Sequence, residues 1–234
     1  MTVFNSFRIA GPVGGLAIKD FRYFRRLLDP YLGVLAAALG SFYLITTDMA
    51  SAGLFQVFLL GVFVLNAATA FNSFGLDNRA IMDRLKLMPV TGTTILLSKN
   101  LAFLMIAGVQ VTPLILLGSW RLGVPIGMVG IVEAASMAAM YMAWGNWMSV
   151  NYPFKMRFFQ FSSSNGPVLE AIAGIVFGSL PGVIAISFLR MQGLKAAWKI
   201  ALLLLFSSLF YLVSVWQMSS RFAQKQDRIL SALS

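Results

Sequence analysis

The 234-residue chain is 59% hydrophobic and only 11% charged, with a mean hydropathy of +0.80 and a formal net charge of +10. That balance excludes a water-soluble globular domain, which needs far more polar surface. The absence of histidine and cysteine removes imidazole bases, thiol nucleophiles, disulfides and soft metal sites.

Hydrocarbon forces every backbone polar group to find a partner within the chain, so spanning segments are helices or a closed barrel. The apolar runs here are long and do not alternate, which selects helices. The expected fold is therefore all-α, a single helical membrane domain over residues 1–234. It divides into a polar segment 1–30, a bundle 31–216 and a tail 217–234. The first residues lack a basic start followed at once by an apolar core, so no cleavable signal peptide is expected.

In chain order, Gly15 to Leu28 reads as an interfacial amphipathic helix. Leu16, Phe21, Phe24, Leu27 and Leu28 lie largely on one side, and Lys19, Arg22, Arg25 and Arg26 on the other. Asp29-Pro30 then turns the chain into two spans, Tyr31–Thr47 and Gly53–Phe71, each near the roughly 20 residues that cross a bilayer. Asn66 in the second is either glue between helices or a group lining a path.

Phe71 to Asn100 is the longest polar interruption, with four cations and two anions. Within it Asp77 is suited to cap a helix from Asn78 to about Leu87, which Pro89 stops. Ile81, Leu85 and Met88 make an apolar stripe. So short a helix must dock on something, either on the protein's own helix ends or in a groove of a cytosolic subunit.

The remaining spans are Leu101–Trp120, Val124–Trp147, Val168–Leu189 and Ala197–Trp216, making six. Glu133 lies in the fourth, where an ionised carboxylate costs about 2.5–3.5 kcal/mol. It must face a partner such as Gln110 or Ser136, be protonated, or line a wet cavity. The loop GNWMSVNYPFKMRFF anchors at the interface through Trp147 and Tyr152. Tyr152, Lys155 and Arg157 are candidates there for a second contact, and Ser162–Gly166 reads as a flexible link. With the N-terminus inside, fourteen of the eighteen lysines and arginines fall on the cytoplasmic side, a strong positive-inside bias. Anionic lipid then accounts for the basic pI of 10.3, with no need for nucleic acid.

The run FGLDNRAIMDRLKLMP followed by LLSKNLA resembles permease subunits of type-2 ABC transporters, prokaryotic exporters with six spans per subunit. The matching positions are Phe74, Gly75, Asp77, Leu87, Pro89, Lys99, Asn100 and Leu101. The resemblance implies a cytoplasmic coupling helix that docks on a separate ATPase, carried by Asp77, Asn78, Arg79, Ile81, Met82, Asp83, Arg84, Leu85 and Pro89. It also implies an inner-membrane protein with both termini cytoplasmic, acting as a homodimer or with a second permease. Asn66 and Glu133 are then candidates for the translocation path. Such permeases often carry a hairpin between spans five and six; here Pro181-Gly182 either breaks the fifth span to form that element or makes an ordinary kink. No P-loop and no HExxH occurs, so ATP hydrolysis belongs to the partner, and neither enzyme activity nor a cofactor is expected. The alternatives are a carrier not driven by ATP, or a membrane assembly factor. An intramembrane enzyme ranks last.

Overall fold

In the computed structural model, residues 11–77, 79–159, 167–188 and 194–233 are described, and they form helices and loops with no strand among them. Asn78, Ser162–Gly166 and Arg190 lie outside these described residues. The expectation of an all-helical membrane protein is met. Five helices are long and apolar enough to cross a bilayer: α2 (Asp29–Thr46), α6 (Gly92–Leu122), α7 (Val124–Asn151), α8 (Val168–Phe188) and α9 (Leu194–Leu233). Three shorter helices sit beside them, α1 (Pro12–Phe24), α3 (Ala52–Leu65) and α5 (Arg79–Leu87), with a single turn, α4 (Ala67–Phe71), continuing from α3.

The second expected span, Gly53–Phe71, is interrupted. Asn66 ends α3 because its side-chain amide donates to the Val62 carbonyl (2.7 Å), and the chain restarts as α4. An asparagine bonding back one turn competes with the helical ladder. The 14 residues of α3 rise only about 21 Å, against roughly 30 Å of hydrocarbon.

Pro181 has the opposite outcome. α8 runs through it from Val168 to Phe188 as one helix, so of the two alternatives the hairpin break is absent and the proline is an internal one. Lost proline hydrogen bonds are tolerated where neighbours surround the helix.

α7 is the central helix and packs against α3, α4, α6, α8 and α9. Gly123, at φ 98°, joins α6 to α7 in a single-residue reversal that favours glycine. Gly145 lets α4 cross α7 closely, since a Cβ there would collide with the Ala70 carbonyl. The main core combines Phe55, Leu59 and Phe63 of α3 with Phe103 of α6 and Met137 and Tyr141 of α7. The outer faces of α2, α8 and α9 remain apolar and exposed, as at Phe42, Leu169 and Trp216, which is how a bundle meets lipid.

Helix α1 starts earlier than expected and turns a different face inward. Gly14, Ala17, Asp20 and Phe24 are its buried residues, and it packs on α6. Two small residues allow close approach. An acid on that face is the feature on which the site depends.

Candidate functional site

The polar end of the bundle is built from α1, the segment 72–77, α5, the start of α6, and the segment 152–159. Backbone and side-chain bonds stitch the two loops together. Asn72 Nδ2 donates to the Phe154 carbonyl (2.6 Å), the Phe154 amide returns a bond to Asn72 Oδ1 (3.4 Å), and the Met156 amide donates to the Gly75 carbonyl (2.7 Å). Ser149 Oγ of α7 accepts from the Ser73 amide (2.9 Å) and hydroxyl (3.0 Å) while donating to the Phe71 carbonyl (3.1 Å). The Phe159 amide reaches the Arg26 carbonyl (2.8 Å), which brings in the end of α1.

Inside this frame lies a four-charge cluster. Lys99 Nζ, on α6, contacts Asp77 Oδ2 at 2.5 Å and Asp20 Oδ1 at 3.1 Å. Lys19 Nζ contacts Asp77 Oδ1 at 3.1 Å and Asp20 Oδ1 at 3.0 Å. Lys99, Asp20 and Asp77 are each 3% exposed or less. Lys99 also sits over the Phe74 ring, 5.2 Å from its centre. Charges so deeply buried are tolerated only when paired, and here two cations face two anions. The cluster ties three separate pieces of chain, α1, the root of α5 and α6, into one electrostatic unit.

α5 hangs from that unit. Its inner residues Met82 and Leu85 are buried and join a cluster with Phe74, Ile95, Phe222 and Ile229; the Phe74 and Phe222 rings stack 5.2 Å apart. Lys86 Nζ adds a bond to Asp227 Oδ1 of α9 (2.6 Å). Outward, Asp83, Arg84, Lys86 and Pro89 are exposed, Leu87 is 86% exposed and Met88 44%. The helix therefore docks on its own bundle with one face and leaves an apolar tip uncovered.

These positions divide the expected coupling set. Asp77, Met82 and Leu85 are buried and cannot meet a partner directly, so they are corrected to residues that hold α5 in place. Both Asp77 carboxylate oxygens are engaged by lysines. Ile81 is half-buried, packed against the cluster under α5. Arg84, Asp83 and Pro89 remain on the outer side; Asn78 and the side chain of Arg79 lie outside the described residues.

Of the interfacial cations, Arg22, Arg25 and Arg26 are exposed, but Lys19 is half-buried in the ion cluster. In the second loop Tyr152, Lys155 and Arg157 are exposed. That loop lies against α1, with Phe158 edge-on to Tyr23 at 5.9 Å and beneath the Arg26 guanidinium at 5.5 Å.

Both path candidates are closed off from the surface among the described residues. Asn66 is wholly buried and donates to Gln110 Oε1 (2.6 Å), while Gln110 Nε2 donates to the Pro30 carbonyl (2.8 Å). Those bonds join α2, α3 and α6, the behaviour of interhelical glue. Glu133 is also wholly buried, and neither of its oxygens has a hydrogen-bond partner among the described residues. Gln110 is taken by Asn66 and Pro30, and the Ser136 hydroxyl is itself unpartnered, so the two partners expected for Glu133 are corrected.

Sequence reasoning missed Asp20. A signal existed: an acid placed three residues after Ala17 and four before Phe24 lies in the apolar stripe of α1 rather than its charged face. Lys99 carried a similar signal, since Leu96, Leu97, Leu101 and Ala102 surround it in sequence.

No protein-family model matches the chain, and no curated protein or solved structure is significantly similar to it.

Proposed function

We propose that this chain is the membrane subunit of an ATP-driven exporter, spanning a prokaryotic inner membrane six times with α3 and α4 together making the second pass. In this reading α1, α5 and the 152–159 loop face the cytoplasm, in line with the distribution of lysine and arginine. The observation that carries it is α5: a nine-residue helix seated by Met82 and Leu85, rooted through Asp77 in α1 and α6, with Leu87 and Met88 uncovered at its tip. An exposed leucine beside an exposed methionine on a rigidly held element fits a groove in a partner.

The mechanism follows from the connections. An ATPase that closes on nucleotide pushes on the tip of α5. The inner face of α5 is packed and its root is ionically clamped, so the displacement passes to α1 and α6 together rather than bending the loop. Two copies of the subunit, or this chain with a second permease, then move about a shared path.

The test is copurification of the full chain with whatever ATPase its own cells supply. Leu87→Glu or Arg84→Glu is expected to release the ATPase and abolish transport while leaving the melting temperature of the permease unchanged. If no ATPase associates with the unaltered chain, or both variants transport normally, the proposal fails. A second reading, a carrier driven without ATP, is favoured by one observation, the unpartnered Glu133. It predicts transport that survives ATP depletion and is lost in Glu133→Gln.

A further inference from the structure

An apolar groove of about 570 Å³ runs between α1 and α6 on the outside of the bundle. Its floor is Leu104, Met105, Gly108 and Val109 of α6, and Ile18 and Phe21 of α1 close one side. A second recess of about 370 Å³ shares Phe21, Arg25 and Val109 with it and continues toward Pro30 and Val34 of α2. The shared residues make the two recesses neighbours on one surface. Val109 is 70% exposed, so the groove opens outward. A Cβ on Gly108 would meet nothing within 4 Å, and the Thr112 hydroxyl folds back onto the Gly108 carbonyl (2.7 Å), leaving the wall apolar.

The charged groups that line the groove are both cationic. Arg22 and Arg25 line it, and among the described residues no carboxylate lines either recess. Arg25 lies over the ring of Phe21, itself a lining residue, with its guanidinium carbon 5.9 Å from the ring centre. Each guanidinium carries N–H donors in a planar fork suited to phosphate. From Leu104 to Pro113 the helix rises about 14 Å. The groove thus pairs a cationic mouth with an apolar trough along a membrane-facing helix.

We propose that this groove is a binding site for an anionic phospholipid, its phosphate on Arg22 and Arg25 and an acyl chain laid along α6 over Gly108. Size and lining suit one tail, since ligand sites of this kind span roughly 300–1,000 Å³, and charge selects the headgroup. The lipid joins α1 to α6 on the outside as the ion cluster joins them on the inside. The site stands whether or not an ATPase partners the chain, because its test reads lipid binding alone.

The full chain, purified in detergent, is titrated with phosphatidylglycerol or phosphatidylcholine while its thermal unfolding is followed. Phosphatidylglycerol is expected to raise the melting temperature and phosphatidylcholine is not. Arg22→Gln with Arg25→Gln is expected to weaken half-saturation by roughly thirtyfold, from the loss of two headgroup-level charges. Gly108→Trp and Val109→Trp fill the trough from two positions with both arginines intact, and each that keeps wild-type helicity is expected to lose the phosphatidylglycerol shift. Glycerol phosphate, which has the anion without tails, is expected neither to shift melting nor to compete. Equal effects of the two lipids, an unaltered arginine variant, retained binding when the trough is filled, or competition by glycerol phosphate would each overturn the assignment.

Discussion

Two buried ionisable regions lie in the same bundle and follow opposite rules. At the polar end, Lys99 brings Asp20 and Asp77 within 3.1 Å of one ammonium, and Lys19 completes the set from the half-exposed side. Deep in α7, Glu133 is equally inaccessible, yet its carboxyl has no hydrogen-bond partner among the described residues. It lies against α8: a Cβ built on Gly182 would stand among Met137, Leu60 and Glu133 itself. The first region needs its charges, because each neutralises another. The second tolerates a titratable group with no hydrogen-bond partner among the described residues. Burial alone therefore does not identify a structural residue; burial with complementary partners does.

The sharpest way to break that contrast is Lys99→Met. It leaves Asp77 and Asp20 buried with only Lys19 nearby, and removing one member of a buried set costs about 3–5 kcal/mol. Lower yield of monodisperse protein and a clearly reduced melting temperature are expected. Adding Asp20→Asn and Asp77→Asn to Lys99→Met removes the stranded charges, so the triple variant is expected to recover much of the loss. A triple variant as unstable as the sum of its parts would mean that the four groups do not act as a unit.

Glu133→Met makes the opposite forecast. An unsatisfied buried polar group costs roughly 1–3 kcal/mol, so an apolar side chain of similar length is expected to hold stability constant or raise it by up to that amount. Glu133→Gln keeps the unmet polar atoms and is expected to change little. A marked fall in melting temperature for Glu133→Met would show that the carboxyl has a partner supplied from outside the chain, such as an ion, water or a second subunit. It would also strengthen the carrier reading over the exporter reading.

The sequence revealed the solvent, the helical class and the positions of most long helices, because apolar runs of bilayer length have few other uses. It revealed α5 through the stripe Ile81, Leu85, Met88 and the terminator Pro89. Three things were hidden, for separate physical reasons. Asn66 breaks the second run by a side-chain bond to its own helix and to Gln110, 44 residues away, and hydropathy does not register such a bond. Pro181 fails to break α8, since a proline's effect depends on what surrounds it. The ion cluster joins residues 20, 77 and 99, and no local pattern specifies which distant acid will meet a given lysine. The candidate site was thus legible as an element but not as a mechanism: α5 could be located, whereas its anchoring to α1 required the fold.

The smallest expected effect comes from a third kind of charge pair, Lys86 with Asp227. Its 2.6 Å contact is as short as any in the buried cluster save Lys99 with Asp77, but the Asp227 side chain is 94% exposed. Water competes for both groups, and salt screens what attraction remains. Lys86→Ala is therefore expected to leave the melting temperature within the scatter of repeat measurements, in low and high salt alike. If α5 is nevertheless a moving handle, the pair limits how far it swings from α9, and the variant alters coupling rather than stability: ATPase activity in the assembled complex shifts while the fold does not. A melting temperature that drops as it does for Lys99→Met would erase the distinction between distance and burial, since only burial separates these two pairs.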